Sequence, residues 1–358
     1  MPLTIEGARI PDPRNEQMGT PGLLAQDRCA GERTIRIALI NNMPDPALVD
    51  TESQFFELIE AAAADVPVRV TLYSLPGIVR TGMAEMRIRS FYHPIEDLWN
   101  SHSDAVIMTG TEPHQPELRR EPYWASLVQV LDWAAENSAS IVLSCLAAHA
   151  SVLHSDGITR HRLDDKRFGV FECGEVRGHA LTNRIPDRMR FPHSRWNEVR
   201  EQDLLSCGYA VLAKSEQGGV DLFAKKKGRS LFVHLQGHPE YGALTLLKEY
   251  RRDIKRFLKN ERETYPSMPK GYFGEAATRL LNDFRENALL DPRERQIDSF
   301  PEAAASSRLE RSWASSATRV YRNWLTYVTA RRNQASRSIK VRLPLQIEGR
   351  RKRATVAL

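Results

Sequence analysis

Three residues of the 358-residue chain have the types and order of a nucleophile, a base and an orienting acid: Cys145, His238 and Glu240. Cys145 closes the stretch IVLSC (141–145), where a short β-rich apolar run gives way at once to the helix-forming LAAHA. A thiol at a strand-to-helix turn has two advantages. The helix N-terminus favours the thiolate, and the free amides of the first turn can hold an oxyanion. His238 lies in Gly237-His238-Pro239-Glu240, directly after the run SLFVHLQ. In extended chain, residues i and i+2 point the same way, so Glu240 can orient the imidazole. Singly, Cys145 also fits a packing thiol and His238 a structural histidine. Together, in this order, they point to covalent catalysis.

The elements around them read as an α/β fold. TIRIALIN (34–41), VRVTLYSL (68–75), SDAVIMTGT (103–111) and IVLS are strand-like, and the first is nearly all apolar, as buried parallel strands are. Helical spacing follows the first strand at Phe55, Leu58, Ile59 and Ala62, with Thr51 as the expected cap. YWASLVQVLDWAAENS (123–138) is a second amphipathic segment. Strands alternating with helices predict a parallel sheet whose ligands gather at the carboxyl ends of its strands. The NNMPD loop (41–45), the Thr109-Gly110 turn and Cys145 all fall there. Residues 218–241 read as a strand, a turn and a second strand that delivers His238. A long helix follows, then a polar excursion (259–310) and a terminal helix (311–332).

Composition narrows the function. With 41% hydrophobic residues the chain supports a core. No apolar run approaches membrane-spanning length and no secretory leader is visible, so a cytoplasmic protein without a membrane partner is expected. Cys29, Cys145, Cys173 and Cys207 form no C-x-x-C pair, which predicts free thiols and no metal site. The net charge of +6 is misleading. Residues 331–358 hold nine Lys or Arg and one acid, leaving −2 for the remainder. The basicity belongs to a tail without interleaved aromatics, which argues against nucleic-acid binding.

The constellation resembles the class I glutamine amidotransferase-like superfamily. Within it the chain resembles the homoserine O-acyltransferases, through NNMP (41–44), DTESQF (50–55), MTG (108–110), DDKRFGVFE (164–172), PHSRWNEVR (192–200), GHPEYGALTLLKEYRRDIKR (237–256) and the terminal RSWAS…YRNWL. The resemblance implies a flavodoxin-like, amidotransferase-like parallel sheet flanked by helices, with an added C-terminal helical region. The expected organisation is an irregular arm (1–33), an acyltransferase domain (34–260), a helical extension (261–332) and the basic tail (333–358).

It also implies ping-pong transfer of a succinyl or acetyl group from succinyl-CoA or acetyl-CoA to L-homoserine on the methionine route. Cys145 would carry the acyl group, with His238 as base and Glu240 as its orienter. No cofactor is implied beyond the acyl-CoA, and a homodimer is. Amides after Cys145 and from the NNMP loop would hold the oxyanion. Lys166, Ser194, Arg195 and Arg252 would line the amino-acid pocket, Arg252 by a two-pronged grip on a carboxylate.

The chain departs from the family pattern in places. Cys-Leu-Ala-Ala-His replaces Cys-Trp-Gly-Ala-Gln, which puts His149 one helical turn beyond Cys145. After MTG the run is Thr111-Glu-Pro-His114, so by direct count His114 takes the acyl-selecting position, and a one-residue shift brings Glu112 or Pro113 closer to it. Histidine there tolerates a succinyl carboxylate better than glutamate would. The competing functions are acyl transfer to another hydroxy amino acid such as serine, an amidotransferase-like hydrolase, and a catalytically dead binding protein.

Overall fold

The computed structural model describes residues 3–6, 34–185 and 188–342, with side chains through 334. One ten-stranded sheet organises them. In the parallel part, β1 (Leu3–Glu6), β2 (Ile35–Ile40), β3 (Val68–Tyr73), β4 (Ala105–Met108) and β5 (Ser140–Ser144) join β10 (Ser230–Leu235). Helices α1 (Leu48–Ala63), α2 (Gly82–Phe91) and α3 (Trp124–Asn137) connect these strands, and α4 (Leu146–Asp156) leaves β5. The mostly parallel sheet flanked by helices is the architecture expected from the sequence.

β4 and β5 are wholly buried, which explains their unbroken apolar runs. Phe55, Leu58, Ile59 and Ala62 face the core as their spacing predicts. Thr51 does not cap α1. The helix already starts at Leu48, continuing a 3-10 turn begun at Asp45–Ala47, and Thr51 is buried inside it. Leu3–Glu6, within the arm expected to be irregular, forms an edge strand against β3. Its short apolar–polar alternation suits that place, but four residues are too few to read as a strand unaided. The rest of the arm (7–33), with Cys29, lies outside the described residues, as does the tail from 343 onward.

Beyond β5 the sheet turns antiparallel. β6 (His161–Glu175) and β7 (Arg188–Glu198) form a long hairpin. α5 (Glu201–Ser206), β8 (Ala210–Ser215) and β9 (Gly219–Lys227) follow, and β9 pairs with β10 as the expected hairpin. α6 (Thr245–Leu258) packs beside the site. The polar excursion holds a 16-residue helix, α7 (Glu275–Leu290), and the short α8 (Glu302–Ser306), with Leu281, Phe284, Ile297 and Phe300 buried. The terminal helix α9 (Ala314–Arg342) extends beyond residue 332. Trp313, Trp324 and Val328 lie in the same buried cluster as Ile35 and Ile37 of β2. The indole of Trp324 donates to Ser140 Oγ at the start of β5, at 2.9 Å.

Candidate active site

Cys145 sits between β5 and α4 with φ 50° and ψ −111°, a conformation that side-chain-bearing residues seldom adopt. Such strain persists only where surrounding structure enforces it. Here the Cys145 N–H is tied to Leu235 O of β10 at 2.8 Å, while α4 begins on the next residue. The thiol is thus lifted out of the sheet, half-buried, at the head of a helix. β10 is the strand beside β5, and it brings His238 to the same edge.

His238 is buried, and its Nδ1 lies 2.8 Å from Glu240 Oε1. That leaves Nε2 for Cys145, to which the ring also hydrogen-bonds. Burial disfavours an imidazolium. The charge of a Cys145 thiolate, then Glu240 and the hydrogen bonds to both, outweigh it and hold His238 well above its ordinary range. Ser144 Oγ donates to the same Glu240 oxygen at 3.4 Å. The three side chains thus stand in the order thiol, imidazole, carboxylate.

Gly110 closes the opposite side. A Cβ added there would stand 3.0 Å from Leu146 N, the amide directly after the cysteine. First-turn amides of a helix have no intrahelical acceptor. The glycine therefore keeps open the space in front of this donor. The NNMP loop does not supply the second amide expected of it. Asn41 N–H donates to Tyr73 O, Asn42 N–H to Thr109 Oγ1 and Met43 N–H to Asn41 Oδ1, while Pro44 has none.

Lys166 of β6, Ser194 of β7 and Arg252 of α6 converge on two acids of α6. Lys166 Nζ lies 3.0 Å from Asp253 Oδ2 and 3.5 Å from Glu249 Oε2. Ser194 Oγ donates to Glu249 Oε2, and Tyr241 OH donates to Glu249 Oε1 at 2.7 Å. Burial would raise the Glu249 carboxyl, but Lys166, Arg252 and the two hydroxyls take it below its ordinary range. Arg252 holds Asp253 Oδ1 through Nε and Nη2, both at 3.0 Å, with half its side chain in solvent. Sequence reasoning missed Tyr241, Glu249 and Asp253. The available signal was the Glu249/Asp253 i, i+4 spacing, which places both acids on one helix face.

Arg195 does not join this group. It is buried, and three of its five N–H groups are held by His193 Nδ1 (3.3 Å), Asn197 O (2.7 Å) and Gly218 O (2.5 Å). His149 is also buried. Its Nε2 lies 2.9 Å from Gln236 Oε1, and burial, only partly opposed by that hydrogen bond, lowers its pKa to about 3, which makes it a neutral packing residue. In the loop after Gly110, His114 is exposed and its amide donates to Glu121 Oε1 at 2.7 Å. Glu112 reaches Arg256 of α6 at 3.9 Å, which places this loop beside the α6 wall.

The fold also gathers Cys173, His193 and Asp221, whose potential ligand atoms lie within 4.8 Å of one another. Their sequence spacing gave no sign of this. The cluster does not suit a cation. Arg195 Nε–H donates to His193 Nδ1, so the proton of the neutral ring is on Nε2, which lies 3.3 Å from Asp221 Oδ1. Burial, with Arg195 nearby, keeps His193 well below its usual pKa and hence neutral. The Nε2 lone pair that a metal needs is therefore absent.

The homoserine O-succinyltransferase family model matches residues 24–335. Homoserine O-succinyltransferases of Rhodopseudomonas palustris and Methylorubrum extorquens are each 42% identical, covering 84% of this chain and 90% and 89% of theirs. That of Bradyrhizobium japonicum is 42% identical over 82% of this chain and 90% of its own. A solved glutamine amidotransferase from Thermotoga maritima, 14% identical, aligns over 82% of this chain and 98% of its own with a TM-score of 0.43. The elbow cysteine, the His-Pro-Glu loop and the Lys166–Ser194–Arg252 cluster all fall inside the matched span, and on that match the chain belongs to the homoserine O-succinyltransferase family.

Proposed function

We propose that the protein moves a succinyl group from succinyl-CoA to the hydroxyl of L-homoserine, through a thioester on Cys145, in methionine biosynthesis. The observation that carries this reading is the Cys145–His238–Glu240 arrangement at the head of α4, inside a chain of this family. The Cys145 thiolate attacks the acyl-CoA carbonyl, the carbon–sulfur bond to CoA breaks, and His238 gives its proton to the departing CoA thiolate. Homoserine then enters. Its hydroxyl gives a proton to His238 Nε2 as the oxygen attacks the Cys145 thioester, and the regenerated thiolate leaves. The Leu146 and Gly110 amides hold the oxyanion in both steps.

Arg252, half in solvent with Nη1 to offer, grips the α-carboxylate. Glu249 and Asp253 set the negative side of the pocket toward the α-ammonium, with Lys166 and Ser194 holding their carboxylates in place. The loop bearing Glu112 and His114 borders the acyl site and favours succinyl over acetyl transfer. The enzyme uses no cofactor beyond its co-substrate. It works in the cytoplasm as a homodimer, which light scattering of the purified protein tests. Among the described residues no helix is long and apolar enough to cross a membrane.

Intact-protein mass spectrometry tests the chemistry. The protein is incubated with succinyl-CoA or acetyl-CoA, then with homoserine or serine. A succinyl adduct that is absent from Cys145→Ala and discharged by homoserine supports the proposal. No adduct with either donor refutes it, and discharge by serine alone moves the acceptor.

A further inference from the structure

The loop carrying His238 is fixed from below by a buried chain of three side chains that the thiol chemistry itself does not use. Asp221 of β9 is fully buried. Its Oδ1 accepts the Gly237 N–H at 2.7 Å, and its own carbonyl accepts the Gln236 N–H at 2.9 Å. The next amide, that of His238, donates to Pro192 O of β7 at 2.8 Å. His193 Nε2 lies 3.3 Å from Asp221 Oδ1 without the alignment of a hydrogen bond, and Arg195 Nε–H donates to His193 Nδ1 at 3.3 Å. Gly237 has no room for a side chain. A Cβ would meet Asp221 Oδ1 at 2.6 Å, Pro192 O at 2.9 Å and His193 Nε2 at 3.0 Å. Three successive amides, of Gln236, Gly237 and His238, are thus pinned to β9 and β7, two of them by Asp221.

A buried carboxylate is kept ionised only where donors and cations face it. Burial pushes the Asp221 carboxyl up to about 6, and the Gly237 amide, Arg195 and His238 only partly offset this. His238 itself acts on Asp221 as a positive charge. The other titratable groups around this joint are Cys145, Cys173, Glu240 and Tyr241. The side chain is therefore a mechanical anchor for the backbone of His238 and, at neutral pH and above, a negative charge near its ring.

We infer that Asp221 is a positioning residue for the acyl transfer. Through the Gly237 amide it fixes where His238 meets Cys145, and its carboxylate favours the imidazolium. This assignment rests on the Cys145–His238 reading above, but it is tested by a reaction that needs no acyl donor.

The rate at which iodoacetamide alkylates Cys145 is measured against pH by mass spectrometry, in the wild type and in Asp221→Asn. The upper step of the profile, where His238 loses its proton, moves to lower pH in the variant, because a neighbouring negative charge has gone. Steady-state transfer shows kcat reduced roughly tenfold to a hundredfold, as expected for a displaced catalytic group, with KM for homoserine within about twofold. Gly237→Ala disturbs the same joint from the backbone side and gives the same loss in kcat. Far-UV circular dichroism establishes that each variant is folded. A folded Asp221→Asn with wild-type kcat and an unmoved step overturns the assignment. So does failure of both variants to fold, which makes the contact a folding determinant only. Ordinary slow alkylation of Cys145 in the wild type refutes the thiolate–imidazolium pair itself, and the Asp221 assignment with it. Absence of transfer despite a shifted step refutes the acyltransferase reading alone.

Discussion

The imidazole of His238 lies nearly flat on the phenol ring of Tyr241, with centroids 4.3 Å apart and planes 17° from parallel. Tyr241 in turn donates its hydroxyl to Glu249 in the Lys166–Ser194 cluster. One side chain therefore touches both the base and the amino-acid pocket. Tyr241→Phe keeps the stack and deletes the hydroxyl. A lost hydrogen bond to a buried charged group costs about 1.5–3 kcal/mol. Steady-state kinetics of the variant will show KM for homoserine raised by roughly tenfold or more, with a smaller change in kcat. Equal losses in both would place Tyr241 in the proton-transfer step instead.

Gly110→Ala probes the other face of the thiol. The added methyl falls 3.0 Å from Leu146 N and 3.4 Å from Ser144 O, in the space assigned to the oxyanion. Loss of one such donor typically lowers kcat by about a hundredfold to a thousandfold. We expect that loss in kcat for transfer, while alkylation of Cys145 by iodoacetamide, which forms no oxyanion, stays close to wild type. Transfer at an undiminished rate would remove Gly110 from the site.

The His238 ion pair also makes stability depend on pH. Its folded pKa is held well above the ordinary 6.5. The folded state therefore binds the proton more tightly than the unfolded chain does. The resulting stabilisation is complete below about pH 6.5 and is lost as pH rises through the elevated folded value. Glu240→Gln removes one of the charges that raise this pKa. Urea unfolding across pH will show the variant losing its His238 contribution at lower pH than the wild type. Its kcat falls by roughly a hundredfold to ten-thousandfold, the range for general acid–base catalysis. Superimposable stability profiles would show that Glu240 does not hold the imidazolium.

Trp313 Nε1 donates to Tyr241 O at 2.9 Å in the buried core. Trp313→Phe fills most of the volume but leaves that carbonyl without its partner, at a cost of about 1–3 kcal/mol. Denaturant titration should report this loss. Because Tyr241 carries the stack under His238, a fall in kcat should accompany it at temperatures where the variant is fully folded.

Cys145, His238 and Glu240 were legible as one group because the placement of each depends on local chain geometry. A strand-to-helix turn and an i, i+2 pair are written in neighbouring residues. The parallel strands were legible because double-sided burial leaves an unbroken apolar run, as in β4 and β5. β6 and β7 were not resolved as strands. Their segments, HRLDDKRFGVFECGE and RMRFPHSRWNE, alternate irregularly between solvent and core, with a bulge between Arg162 and Arg167. Arg195 was assigned to the pocket by the resemblance of its motif alone; only the fold reveals its burial and its three acceptors. Asp221 was overlooked for the same reason. Nothing in GGVDLFAKK marks its carboxylate as the partner of an amide far along the chain.

β5 and β10 are adjacent strands in the middle of the sheet, yet the whole β6–β9 excursion is translated between them. Cys145 is therefore made long before the strand that both fixes its backbone at Leu235 and delivers its base. Parallel pairing between distant segments is intrinsically slow to form. During synthesis the newborn thiol has neither its strained conformation nor its imidazole, and it has the reactivity of an ordinary cysteine. Cys145 and His238 can meet only once β10 has been made and paired with β5.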